Sequence, residues 1–276
     1  MPRTLGNWRY CYLFMPVHVE SLSAQANWVR NWENQVPGGY VDSGQETLLQ
    51  SLLSAGTEIG LFAVLSHISK ELGFEYCAYG MRMPLPISKP KLFMLNDYPK
   101  NWQQRYTQEC YLNVDPTIAH GLRSVMPLVW TDDVFATCRP FWEDARAHGL
   151  QVGWAQSCHD AKGVGGMVTF ARSHDNLSPK ELGDQSPKMS WLTLAVHEGM
   201  FRLLVPKLMP EVAIVLSARE IEALRWTAEG KTSGDVSEIM HIAERTVNFH
   251  LNNAMAKLGT CNKTAAVIRA AMLGLL

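Results

Sequence analysis

The sequence predicts an α+β protein that continues into an all-α module: an α-β-α sandwich with an antiparallel sheet, then a four-helix helix-turn-helix domain. Three observations carry this. Residues 45–72 place apolar side chains at helical spacing. Residues 74–172 hold short aromatic and β-branched runs separated by turns containing Pro and Gly. Beyond residue 216 the pattern changes to four short helices with their own caps and stops.

Residues 1–40 show no clean period and end in Pro37-Gly38-Gly39, so they read as an extension. Leu48, Leu49, Leu52 and Leu53, then Leu61, Phe62, Val64, Leu65 and Ile68, predict a helical region that Gly60 splits and Gly73 ends. Strands are expected over 74–83 and 91–95, with a Pro-containing loop between them and a turn at Asn96-Asp97 after the second. Short helices fit 99–108, 116–123 and 140–148, and two more strands fit 151–158 and 164–172, joined by a loop holding Lys162-Gly163. Ser178-Pro179-Lys180-Glu181 has the form of a capping box with Pro at the first helical position. Pro187 falls deep in the pattern that follows, so a break is expected there and a fresh helix over 186–204. With Pro206 and Pro210 flanking a linker, the expected organisation is an extension (1–40), a first domain (41–205), a linker (206–213) and a second domain (214–276).

Composition narrows the class. Of 276 residues 47% are hydrophobic and 18% charged, which is ordinary for a globular chain and far from disordered. The net charge of -1 does not announce a nucleic-acid binder, and 213–276 carries seven Lys/Arg against six Asp/Glu. Six cysteines are scattered without a CxxC pair, which argues against a zinc cluster or disulfide scaffold and suggests small buried hydrophobes in a reducing cytoplasm. No apolar run reaches the roughly 18 residues of a membrane span. Trp8, Arg9 and Tyr10 interrupt the start, which lacks a small-residue cleavage site, against a signal peptide.

In the last module Ser217 with Glu220 forms a capping box, Gly230 stops the first helix, and Thr232 or Ser233 caps the second. The third runs over 244–258 with Val247, Leu251, Ala254, Met255 and Leu258 on its apolar face, Gly259 ends it, and Asn262 caps the fourth. As a helix-turn-helix, the third helix would enter the major groove with Arg245, Asn248, Phe249 and Asn252 outward. Asn and Arg can bond base edges bidentately. Lys231, Thr232, Ser233, Thr246, Lys257 and Lys263 suit phosphate contacts. The spacing alone fits a helical bundle or protein-docking module as well. The stretch LSAREIEALRWTAEGKTSGDVSEIMHIAERTVNFHLNNAMAKLGTCNKTAAV, however, resembles the LuxR-type helix-turn-helix over about 60 residues, through Leu216, Ser217, Arg219, Glu220, Gly230, Lys231, Arg245, Thr246, Val247, His250, Lys257 and Lys263 among others. One departure is Ala243, where such proteins often carry a capping Ser.

The first domain is richest in chemistry at Tyr98, Trp102, Tyr106, Asp115-Pro116-Thr117, Trp130 and Phe141-Trp142. Buried Tyr and Trp polar hydrogens need acceptors, and a lone carboxylate can take an amide N–H, so the set suits a small amide- and carbonyl-bearing ligand in an apolar cavity. The same residues fit an aromatic core in which Asp115 merely caps the helix opened by Pro116. The ordered series Y-P-x-x-W, Y, V-D-P-T, W, F-W-E-x-A is similar to the autoinducer-binding domain of LuxR-type quorum-sensing regulators, nearest the Las and Rhl receptor subgroup. The resemblance implies an N-acyl-homoserine lactone as signal ligand and no other cofactor. In that picture Trp102 donates to the lactone carbonyl, Asp115 accepts the amide N–H, and Tyr98 donates to the amide carbonyl with support from Thr169. Thr117 flanks Asp115, Trp130 and Phe135 pack on the lactone, and Tyr106, Ala78, Gly80, Trp142, Ala145 and Met167 line the pocket. It also implies a cytoplasmic, DNA-binding homodimer with no membrane or metal site, with RNA polymerase a further candidate partner. Trp154 departs from the pattern: pointing inward it would shorten the acyl channel, with Gly165-Gly166 on the facing strand as compensation. A regulator with the same fold sensing a different small molecule is the alternative. A lactone hydrolase is disfavoured, because no second carboxylate or His stands near Asp115 at motif spacing.

Overall fold

A computed structural model describes residues 48–276 apart from 49, 53, 161–162 and 210–213. The expected extension over 1–40, Leu49, Leu53, Lys162 and the second half of the linker, 210–213, lie outside the described residues.

Helix α1 (Glu58–Glu71) starts at Thr57, whose side chain accepts from the Gly60 N–H. The helical break before it therefore falls at 55–57 rather than at Gly60, which sits within the first turn. Strand β1 (Tyr76–Arg82) and strand β2 (Leu92–Asn96) form a hairpin. Asn96 closes β2 instead of opening a turn. Helix α2 (Lys100–Gln108), a 3-10 turn (Tyr111–Asn113) and helix α3 (Pro116–Gly121) follow. Then come a short strand β3 (Leu128–Val129) that the pattern did not reveal and helix α4 (Arg139–Ala147). Strands β4 (Val152–His159) and β5 (Gly165–Arg172) complete an antiparallel sheet of order β2-β1-β5-β4-β3.

Helix α5 (Pro179–Leu208) is a single helix of 30 residues. The break expected at Pro187 is absent. Proline there removes one N–H and crowds the carbonyl four residues back, but that carbonyl belongs to Gly183, and both Gly183 and Pro187 are exposed, so water can satisfy it. Pro206 likewise lies inside the helix, which extends into the stretch expected as linker. Ser178 caps α5 through the Glu181 N–H, but the Glu181 carboxylate turns to Arg172 at 2.7 Å instead of closing the box.

The period-two alternation of the strands divides the sheet. Cys77, Tyr79 and Met81 of β1, Trp154 of β4, and Val168 and Phe170 of β5 join α1 and α5 in one buried core. The opposite face carries an aromatic cluster built from α2, α4 and their neighbours, including Trp102, Tyr111, Phe135, Phe141 and Trp142. Two glycines permit close approach. A Cβ at Gly199 of α5 would meet Leu61 Cδ1 of α1 at 2.4 Å, and one at Gly166 would meet His197 Nδ1 at 2.2 Å. The Gly166 space therefore accommodates His197, whose Nδ1 lies 2.9 Å from the Tyr79 hydroxyl, and not Trp154. Of the described cysteines only Cys77 and Cys158 are buried, so the expectation of small buried hydrophobes holds for those two.

The last module comprises α6 (Ala218–Ala228), α7 (Ser233–Met240), α8 (Glu244–Lys257) and α9 (Lys263–Met272). Both α6 and α7 open with reciprocal capping boxes, Ser217 with Glu220 and Thr232 with Asp235. Helix α8 has Ala243 at its N-cap and no side-chain cap bond.

Candidate ligand cavity and nucleic-acid interface

Between the sheet and the aromatic cluster lies a cavity of about 610 Å³. All ten residues expected at a ligand site line it: Tyr98, Trp102, Tyr106, Asp115, Thr117, Trp130, Phe135, Trp142, Ala145 and Thr169. Its floor is the sheet face opposite the core, where Ala78 pairs in register with both Asn96 and Thr169, and Gly80 with Met94 and Met167. The polar face of α2, including Lys100, Gln104 and Gln108, borders it.

Asp115 satisfies both readings of the sequence. Its Oδ1 caps α3, accepting from the Thr117 N–H at 2.8 Å and the Thr117 hydroxyl at 2.7 Å, while Oδ2 accepts from the Tyr106 hydroxyl at 3.0 Å. Burial pushes its carboxyl pKa up against these hydrogen bonds, which pull it down. Burial also holds the Tyr98 and Tyr106 phenols well above their usual range, so both remain donors at neutral pH. The Trp130 indole N–H and Asn96 Oδ1 are buried with no hydrogen-bond partner among the described residues. By contrast, Trp142 gives its indole N–H to Asp132 at 2.7 Å and stacks on Phe135. Trp102 packs among Tyr106, Tyr111 and Phe141. The wall holding these rings is clamped by Asp144, which accepts from Tyr111 and from Arg105 at 2.8 Å; these two donors hold its carboxyl below the usual range.

Trp154 is fully buried on the far face of the sheet, stacked with Phe170, and does not line the cavity. The strand register explains it: Trp154 pairs with Phe170, whereas its neighbour Ala155 pairs with the cavity-lining Thr169. The sequence reading missed Met94 and Asn96, which are in register with Gly80 and Ala78, and also Ile118 and Leu150. The alternation in β2 could have revealed the first two.

On α8, Arg245, Phe249 and Asn252 are exposed along one stripe at spacing i, i+4, i+7, with Phe249 59% accessible. Lys231 and Thr232 are exposed and Thr246 is half-buried. Three expected contact residues are instead joined to one another. Asn248 Oδ1 accepts from Ser233 Oγ at 2.9 Å and from Lys263 Nζ at 3.2 Å, and Lys263 Nζ also donates to Ser233 Oγ at 2.7 Å. Lys257, also expected at a phosphate, donates its ammonium to the buried Glu220 carboxylate at 2.8 Å, with its side chain 44% exposed. Among the described residues no cluster of His, Cys, Asp or Glu could hold a metal ion, and no helix is long and apolar enough to cross a membrane.

A ligand-sized cavity in an α-β-α sandwich, joined to a helix-turn-helix, defines a ligand-binding transcriptional regulator. The autoinducer binding domain family matches residues 57–200, and the luxR family of bacterial regulatory proteins matches 214–270. The chain belongs to the LuxR family of quorum-sensing regulators, which are DNA-binding proteins and not enzymes. It is 49% identical over 238 residues to the transcriptional activator protein AnoR of Acinetobacter nosocomialis, covering 86% of this chain and all of that one. To the HTH-type quorum-sensing regulator RhlR of Pseudomonas aeruginosa it is 39% identical, covering 79% and 90% of the two chains. A crystal structure of Escherichia coli SdiA superposes with a TM-score of 0.74 at 33% identity, covering 84% of this chain and 98% of that one. A structure of SdiA in complex with octanoyl-rac-glycerol superposes with a TM-score of 0.73 at 31% identity, covering 87% and 98%.

Proposed function

We propose that the cavity binds an N-acyl-homoserine lactone and that the liganded chain binds a near-palindromic DNA site as a homodimer. The carrying observation is that Tyr98, Trp102 and Asp115 line one cavity of about 610 Å³, within the range of small-molecule sites. Asp115 is the acceptor for the ligand amide N–H. The Tyr98 hydroxyl and the Trp102 indole N–H supply donors for the amide and lactone carbonyls. Thr169 supports the Tyr98 end, Trp130 and Phe135 cover the ring, and Ala78, Gly80, Met94 and Met167 offer an apolar floor for the acyl chain.

A ligand that completes this interior stabilises the fold by mass action, about 2.7 kcal/mol at 100 times its dissociation constant. Two first domains (41–205) brought together by that ordering would place two α8 helices at half-sites about one helical turn apart. Arg245, Phe249, Asn252 and Asn248 face base edges; Lys231 and Thr246 stand beside phosphates. The regulator works in the cytoplasm, beside RNA polymerase.

A second reading has one specific support: the related SdiA has been solved with octanoyl-rac-glycerol. A monoacylglycerol would use the same donors without an amide for Asp115. Co-purifying the full chain with each compound and weighing the released ligand decides between them. Retention of neither would overturn the ligand assignment.

A further inference from the structure

Resting on the placement of α8 in the major groove proposed above, we infer that Asn248 reads DNA as a hydrogen-bond donor only. Its carbonyl oxygen is consumed inside the protein, and it selects a base-edge acceptor in place of the two-bond match to adenine.

An amide oxygen has two lone pairs, and Asn248 Oδ1 spends both, on Ser233 Oγ at 2.9 Å and Lys263 Nζ at 3.2 Å. The amide orientation follows from chemistry, because an ammonium can only donate and the atom facing Lys263 must be the oxygen. Ser233 cannot turn away without loss, since its oxygen takes a second Lys263 hydrogen at 2.7 Å while its own hydrogen goes to Asn248. The three residues come from three elements: Ser233 opens α7, Lys263 opens α9 and Asn248 sits one turn into α8. The amide is thus held from two sides through its oxygen, which leaves Nδ2 as the group it can offer to DNA. Adenine recognition by asparagine needs one donor and one acceptor, for N7 and N6–H2. With only donors left, Asn248 matches guanine N7 and O6 or thymine O4, whereas adenine offers N7 but sets its own N6–H2 donor beside it, against the second amide hydrogen. Ser233 and Lys263 then act as positioning residues for Asn248, and the phosphate role expected of them is secondary.

The test is selection from a randomised duplex pool by the purified full chain saturated with an N-acyl-homoserine lactone, at fixed salt, read by sequencing. The wild-type chain should enrich guanine or thymine over adenine by about five- to tenfold at one position per half-site. Asn248→Ala should flatten that position alone. Asn248→Asp keeps the acceptor for Ser233 and Lys263 but loses the donor, and should turn the preference towards cytosine, whose N4 amine donates. The Ser233→Ala, Lys263→Met double variant frees Oδ1 and should move the same position towards adenine. Adenine in the wild-type selection overturns the inference. So does a double variant that weakens all sequences alike with its guanine or thymine preference intact. If Arg245→Ala alters the consensus and Asn248→Ala does not, this inference fails while α8 stays in the groove. If no chain enriches any sequence, the groove placement fails and the inference with it.

Discussion

The Trp130 indole lies flat against Gly153: a Cβ at that glycine would fall 2.3 Å from Trp130 Cδ2 and 2.6 Å from Cε2. Those atoms belong to the fused ring system, which cannot bend aside. Gly153→Ala should therefore push Trp130 off the cavity wall, destabilise the first domain by about 1–3 kcal/mol as other overpacked sites do, and weaken ligand response at least tenfold. Thermal unfolding and a ligand dose–response curve measure both. An unchanged curve would show that Trp130 does not shape the site.

Asp115→Asn should separate the two duties of that residue. Asparagine caps helices as well as aspartate does, so α3 should persist and the unfolding temperature should barely move. The Tyr106 hydroxyl can rotate to accept from the new amide, but a ligand N–H cannot. Affinity should fall by about 2 kcal/mol, roughly thirtyfold. Trp102→Phe, which keeps the ring and removes the donor, should weaken binding in the same direction.

Lys257→Met should leave the salt dependence of DNA binding unchanged, because its ammonium serves Glu220. A lysine on a phosphate would reduce the slope of log K against log salt by about 0.9. The loss should appear in stability instead, about 1–2 kcal/mol for a charged hydrogen bond.

Acid should remove that same contribution. Burial raises the Glu220 carboxyl, but the Lys257 ammonium and the Ser217 N–H outweigh it and hold the pKa below the usual value. A carboxyl lowered by folding stabilises the fold above its unfolded pKa, and that contribution disappears as pH falls through the folded one. Glu220→Gln retains a capping side chain and loses the ion pair. It should melt earlier than the wild-type chain at pH 7, with the gap closing below about pH 4.

Ala243→Ser should stabilise the second domain by about 0.5–1 kcal/mol. Ala243 already has extended N-cap backbone (φ -65°, ψ 144°) and lacks only the side-chain acceptor. Thermal unfolding of the full chain reads the gain.

Much of this molecule was legible in the sequence because its local signals agree with its tertiary structure. Ser217, Thr232 and Asn262 cap where their side chains suggested, and the aromatic series from Tyr98 to Trp142 does gather at one cavity. Three features were hidden because they depend on neighbours distant in sequence. Pro187 reads as a breaker until Gly183 and the surrounding solvent are seen on the same side of α5. Trp154 can be assigned to a face only when its register with Phe170 is known. Lys257 and Asn248 look like free surface groups until the folded module brings Glu220 and Lys263 to them, 37 and 15 residues away along the chain.

The pleat of β1, β2 and β5 has a consequence for how such a receptor can diversify. Met167 and Thr169 line the cavity, whereas Val168 and Phe170, interleaved with them, hold the interior beneath α1 and α5. Selectivity and robustness are thus written on alternate letters of the same strands. New chemical tastes can be tried at Ala78, Gly80, Met94 or Met167 while the scaffold behind them goes unaltered.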